Sequence, residues 1–204
     1  MAAKFTPLPS KETQIVTPMF RLSFPAVFVA VPNELRADKR LEYKITMLFD
    51  KKDAAGIKAL KDLMIKVANH RFGIGAKGLK NPIKDGDTAK NQAEELIKEK
   101  NPSYAGHWVV NSWSKNKPGV VNAKNEIILD HDEVYGGCFC RAQLNCYAYE
   151  AAGNRGVSFG LMHIQKLKDG DPFGARTRVE DAFSPVEGAE LSEDSPAAAG
   201  GMFD

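Results

Sequence analysis

The stretch Gly136-Gly-Cys-Phe-Cys-Arg-Ala-Gln-Leu-Asn-Cys-Tyr-Ala-Tyr-Glu150 alternates in character from one residue to the next. Side chains of a β-strand point to opposite faces in turn. Cys138, Cys140, Ala142, Leu144, Cys146 and Ala148 therefore share one face, and all are small or apolar. Phe139, Arg141, Gln143, Asn145, Tyr147 and Tyr149 share the other. The first set suits the tight interior of a small barrel. The second is a row of flat rings with a guanidinium and two amides, facing outward. The competing reading has Tyr147 and Tyr149 covering a second layer of core beneath a helix, which amphipathic tyrosines often do.

Other strands surround this one in the reading. Phe20 to Val31 alternates, with Phe20, Leu22, Phe24, Ala26 and Phe28 on one face, and Pro25 restricts it to a sheet edge or a bulge. Leu41 to Phe49 is cleaner: Leu41, Tyr43, Ile45, Met47 and Phe49 face one way, and Glu42, Lys44 and Thr46 the other. His107 to Ser114 and Val157 to Leu167 add two more, Val120 to Leu129 is a candidate, and a turn at residues 152–156 makes the last two long strands a hairpin. Asp53 reads as the N-cap of a helix carrying Ile57, Leu60, Met64 and Val67 and stopped by Gly73. A second, short helix is expected from Asp87 or Thr88 to just before Asn101. The sequence thus predicts a mainly β (α+β) fold: a five-stranded OB-fold barrel with a helical insertion, a small barrel that often binds oligonucleotides.

Charge divides the chain in two. Residues 1–178 hold all 28 Lys and Arg and 19 of the 26 Asp and Glu, a net +9, whereas residues 179–204 hold seven acids and no base. The expected organisation is a basic domain over residues 1–178, with residues 1–13 an irregular arm, and a disordered acidic C-terminal tail over 179–204. Met1–Glu12 has no apolar core of signal-peptide length, and the longest apolar stretch, Phe24–Val31, is too short to span a bilayer. No membrane partner is expected, and the expected location is cytoplasmic.

A basic domain with outward rings suits a single-stranded nucleic acid. Every base has a π-face, so stacking tolerates any sequence while cations hold the phosphates. The candidate contacts on the central strand are Phe139, Arg141, Tyr147 and Tyr149. Trp113 precedes the basic loop Ser114-Lys115-Asn116-Lys117, so it is read as a base contact, with Trp108, of opposite parity, as core. Tyr104 is a further ring on a loop. Arg71, Lys77, Lys80, Lys84, Lys115, Lys117 and Arg155 are read as the electrostatic groove; Leu63 to Lys84 contains five bases and no acid.

Other patterns carry less. Gly73-Ile-Gly-Ala-Lys-Gly78 matches a dinucleotide fingerprint in letters only, because a helix precedes it and a loop follows. Cys138, Cys140 and Cys146 share the interior face and lack zinc-knuckle spacing. Asp130-His-Asp-Glu133 reads as a charged turn. No nucleophile–base pair or carboxylate set is visible, so neither an enzyme nor a cofactor is expected.

Four segments, Asn81–Asp87, Tyr104–Ser112, Gly136–Tyr149 and Gly156–Gly170, resemble the phage-encoded OB-fold single-stranded DNA-binding proteins, a family once catalogued as a domain of unknown function. The resemblance implies sequence-independent ssDNA binding in phage DNA replication, recombination or repair, in the infected host's cytoplasm. Replication proteins of this kind often end in an acidic tail tipped by an aromatic residue. Here Glu180, Asp181, Glu187, Glu190, Glu193, Asp194 and Asp204 are spread out and Phe203 is penultimate. The tail is expected to compete with DNA and to recruit replication or recombination proteins. The alternatives are a strand-annealing or RNA-binding module and a protein-interaction adaptor.

Overall fold

The computed structural model describes residues 6–174, apart from 35, 37, 92 and 152. The chain divides into the units Met1–Gly174 and Ala175–Asp204. The acidic tail, with every tail residue named above, lies outside the described residues.

One helical turn, α1 (Ser10–Thr13), leads into β1 (Gln14–Val16), followed by β2 (Phe20–Pro32), β3 (Leu41–Asp50), α2 (Ala54–Phe72), β4 (Ile83–Asp85) and α3 (Ile97–Lys100). Then come β5 (His107–Ser114), β6 (Gly119–Val121), β7 (Phe139–Ala151) and β8 (Asn154–Lys168). Hydrogen bonding runs β7–β2–β3–β5–β8 and returns from β8 to β7, so five strands close a ring. Every junction of the ring is antiparallel except β5–β8, where Ser112 faces Phe159 and Trp113 faces Gly160 in parallel. Numbered within the ring, the order is first, second, third, fifth, fourth, which is an OB-type barrel.

The interior follows the alternation read from the sequence. Cys138, Cys140, Ala142, Leu144 and Cys146 are all at most 1% exposed and pack with Leu22, Ile45, Met47, Phe49, Phe159 and Ile164. Helix α2 contributes Ile57, Leu60 and Val67 to this core. Asp53 caps it by accepting from the Gly56 amide at 3.0 Å, and the Gly73 amide closes it on the Asn69 carbonyl. Gly56 cannot be larger, because a Cβ there would lie 2.6 Å from Asp53 Oδ2 and 2.7 Å from Pro18 Cγ.

Three readings need correction. In β2, Ser23 faces Thr46 but Ala26 faces Lys44, so an extra residue is inserted at Phe24–Pro25, where Phe24 adopts φ 44°. This bulge reverses the alternation: Phe24 is 53% exposed, and Val27 rather than Ala26 or Phe28 is buried. In β3 the two faces divide as expected, and Glu42 and Thr46 of the polar face are themselves covered. Glu42 is buried and accepts from Asn33 Nδ2 and Arg40 Nε at 2.5 Å each, and Thr46 donates to Asn111 Oδ1 at 2.7 Å. The second helix shrinks to α3. Asp87 and Ala93 amides are captured by the side chains of Asp85 and Asn91, at 2.8 Å each, a local competition that disfavours helix. Finally, the arm before residue 14 contains a helical turn and runs into β1, which pairs Gln14, Ile15 and Val16 with Asn145, Leu144 and Gln143. Strands as short as β1 and β4 leave no period to read.

Of Val120–Leu129 only the segment at β6 is strand, with a bridge from Val121 to Ile127. The hairpin turn is tighter than read: Ala151 already faces Asn154, so Arg155 and Gly156 belong to β8.

Candidate nucleic-acid interface

The outward face of β7 is open along only part of its length. At its start, Phe139 lies beneath two cations, with Arg21 Cζ 5.2 Å and Lys168 Nζ 4.6 Å from the ring centroid. Arg21 is also 4.5 Å from the Phe173 ring and donates to the carbonyls of Gly137 (3.1 Å) and Asp171 (2.5 Å). The chain after β8 therefore straps back across this end. The approach is close enough that a Cβ on Gly137, at φ 120°, would lie 2.2 Å from the Asp171 oxygen. Phe139 is half-buried in consequence.

Beyond Phe139 the row opens. Arg141 is exposed and its Nε donates to Gln165 Oε1 at 2.6 Å. Gln143 and Asn145 are half-buried and meet Gln14 and Thr13 at the β1 edge. Tyr147 is 44% exposed, and Tyr149 is half-buried. On the opposite face the three thiols are buried: burial pushes Cys146 up to about 12, while the sulfur–sulfur contact between Cys138 and Cys140 holds the Cys140 proton, raising Cys140 and lowering Cys138.

Across the barrel wall, Trp113 of β5 faces Gly160 of β8, which in turn faces Asn145 of β7. A Cβ on Gly160 would lie 3.6 Å from Tyr147 Cε1 and 3.9 Å from the Trp113 oxygen. The glycine thus leaves a shallow trough between two ring-bearing strands about 10 Å apart, twice the interstrand spacing. Lys44, paired with Trp113 in register, sets its Nζ 5.3 Å from the indole. Nothing in the sequence singled out Lys44, because its place beside Trp113 depends on the β3–β5 register. Trp108 packs against the main core and carries Lys61 and Lys51 over its ring at 4.1 and 5.3 Å. Lys51 also bridges Asp85 and Asp87 at 2.5 and 2.6 Å, and its hydrogen bonds hold both carboxyls below the usual range.

Tyr104 is not a surface ring. It is 8% exposed, in a second cluster with Leu48 and Val109 on the outer face of the β3–β5 wall. Its hydroxyl bonds with Ser23 and Thr46, and burial raises its pKa. The loop that looked open is folded down because Leu48 and Val109 need cover.

The basic residues form two groups. The loop 73–82 is pinned to the start of β8: the Lys80 amide donates to the Arg155 carbonyl at 2.9 Å, and the Arg155 guanidinium donates to the Lys77 carbonyl at 3.1 Å. Arg71 reaches this end of the barrel through Glu150, 3.4 Å away. Lys77, Lys80 and Arg155 are exposed there, and Lys84 is exposed on neighbouring β4. Lys115 and Lys117 are exposed on the separate β5–β6 loop, directly after Trp113.

Ring order, a helix packed on the barrel, and cations set beside outward rings define an OB-fold protein with a ring-bearing outer wall. Residues 13–195 match the family model described as the ssDNA-binding protein of Enterobacter phage Enc34, and the chain belongs to this phage ssDNA-binding protein family. Among solved structures it is similar to the single-stranded DNA-binding protein from bacteriophage Enc34 (24% identity, TM-score 0.63, covering 85% of this chain and 92% of that one). It is also similar to that protein in complex with ssDNA (23% identity, TM-score 0.67, 85% and 100%). A third match is gp2.5, a single-stranded DNA-binding protein encoded by bacteriophage T7 (10% identity, TM-score 0.52, 81% and 97%). No curated protein matches the sequence. Among the described residues no helix is long and apolar enough to cross a membrane, and no group of three or more His, Cys, Asp or Glu could hold a metal ion.

Proposed function

We propose that this protein holds single-stranded DNA, without regard to sequence, by stacking bases on the outer barrel wall and drawing the phosphates to flanking lysines. The observation that carries the reading is the trough at Gly160, bordered by Trp113 and Tyr147, with Lys44 on the indole. Stacking on a ring is indifferent to which base is present. The exposed cations at Lys115, Lys117, Lys77, Lys80 and Arg155 supply the charge that a polyanion needs. Phe139 plays a lesser part, since its ring already has cations against it. The service rendered is in phage DNA replication, recombination or repair, with the acidic residues of 179–204 competing with DNA for the basic surface and recruiting partner proteins.

The test is titration with oligo-dT, followed by anisotropy of a labelled strand. Trp113→Ala and Tyr147→Ala should each weaken binding roughly five- to 150-fold, the equivalent of about 1–3 kcal/mol per stacked base. Unchanged affinity in both variants, with native thermal melts, would overturn the stacking reading.

A further inference from the structure

Along the same face of β7, away from Tyr147, a groove of about 490 Å³ opens beside Arg141. Val16 of β1 walls one side and Val121 of β6 the other; Arg141, Gln143, His163 and Gln165 supply the polar surface. No carboxylate lines it among the described residues.

Its polar groups are held in place. His163 Nδ1 accepts from the Gly119 amide at 3.1 Å, so in the neutral ring Nε2 carries the proton and is the donor. That contact requires glycine, since a Cβ at position 119 would lie 2.8 Å from His163 Nδ1. Arg141 is steadied by Gln165, whose Nε2 donates in turn to the Asn122 carbonyl at 2.9 Å. Among the described residues, the guanidinium's terminal NH2 groups keep their donors, and Gln143, donating weakly to Gln14 at 3.3 Å, keeps its oxygen as an acceptor.

We infer that this groove takes one nucleotide of the bound single strand, its base seated between Val16 and Val121 and its acceptor atoms met by Arg141 and His163. The inference rests on the stacking reading above. Three features favour a nucleotide. The lining joins one guanidinium and one imidazole donor to amides, which matches a phosphate and a base edge. The two valines offer apolar walls. The groove also lies in line with the trough, because Arg141 and Gln143, which line it, share a face of β7 with Asn145 and Tyr147, and six residues of strand span about 20 Å. A strand leaving Tyr147 along β7 enters it.

The experiment is a length series of labelled oligo-dT, from about 4 to about 16 nucleotides, the range of sites on OB folds, against the full chain. Val16→Glu places a carboxylate in the mouth of the groove, and His163→Ala removes a donor; both positions are exposed. On the shortest strands that bind, both variants should match the wild type. Once the strand is long enough to reach the groove, the wild type should gain about tenfold more affinity than either variant, the equivalent of one base contact. If both variants follow the wild type at every length while Trp113→Ala still weakens the shortest strands, the groove takes no nucleotide and the trough stands. If Trp113→Ala and Tyr147→Ala leave the shortest strands unaffected, the stacking reading fails, and this inference with it.

Discussion

Gly160 offers a clean perturbation, because adding atoms there blocks the trough without cutting a contact. The residue lies in the middle of β8, paired with Trp113 and Asn145, and is not among the positions with positive φ. An alanine Cβ would make ordinary contacts, 3.6 Å to Tyr147 Cε1 and 3.9 Å to the Trp113 oxygen. Gly160→Ala should therefore fold normally and, since glycine weakens a strand interior, melt no lower than the wild type. Gly160→Leu extends three further carbons into the space between two strands about 10 Å apart. A base excluded from that space forfeits about 1–3 kcal/mol, a rise of roughly five- to 150-fold in Kd. The assay pairs a thermal melt with anisotropy of labelled oligo-dT for the glycine, alanine and leucine forms. A leucine variant that melts like the wild type and binds with unchanged Kd would refute the idea that a base lies between the rings.

Removing residues 179–204 should tighten oligo-dT binding, most at low ionic strength where screening is least; affinity that is unchanged or lower would remove the tail as a competitor. For a single strand, log Kobs falls with log salt at about −0.7 per phosphate contacted, so replacing Lys115 and Lys117 by Ala should flatten the slope by about 1.4. An unaltered slope would place the phosphates elsewhere. Lys51 lowers the pKa of Asp85 and Asp87 in the folded chain, so these carboxylates add stability above their unfolded pKa. That contribution is lost as pH falls through the lowered values. Below about pH 4, the ordinary carboxylate range, the wild type should lose melting temperature more steeply than Lys51→Met; parallel acid profiles would deny the ion pairs a role.

The sequence made the β7 wall legible because its two faces differ in kind over thirteen residues, long enough for one alternation to fix an interior. The cap and stop of α2 were equally local, resting on Asp53 and Gly73. What was not legible depended on distant chain. The bulge at Phe24 is a register event between β2 and β3, so the alternation beyond it could not be extrapolated. Tyr104 is buried by Leu48 and Val109, residues of two other strands. Phe139 has the outward parity expected of it, yet it is half covered by a strap whose anchor, Arg21, lies 118 positions earlier in the chain. Parity decides which side of a wall a ring occupies. It does not decide what returns to lie on that side.

The distinction between a covered ring and a lightly guarded one bears on how binding would proceed. Arg21 holds Phe139 while also holding two backbone carbonyls and Phe173, so freeing that ring would break several contacts together. Among the described residues, the Lys44 ammonium makes one cation–π contact, with Trp113. Such a contact is worth from about 0.5–1 kcal/mol when exposed to about 2 kcal/mol when desolvated, within or below the roughly 1–3 kcal/mol of a stacked base. In the proposed mode a base displaces the lysine, and the freed ammonium remains within reach of the phosphate that arrives with the base. The resting cation thus keeps the half-buried indole from offering a bare apolar face, and in the proposed mode it becomes part of the electrostatic contact when the strand binds. Of the rings on this wall, Phe139 has two cations against it, which is why the stacking reading rests on Trp113 and Tyr147 rather than on Phe139.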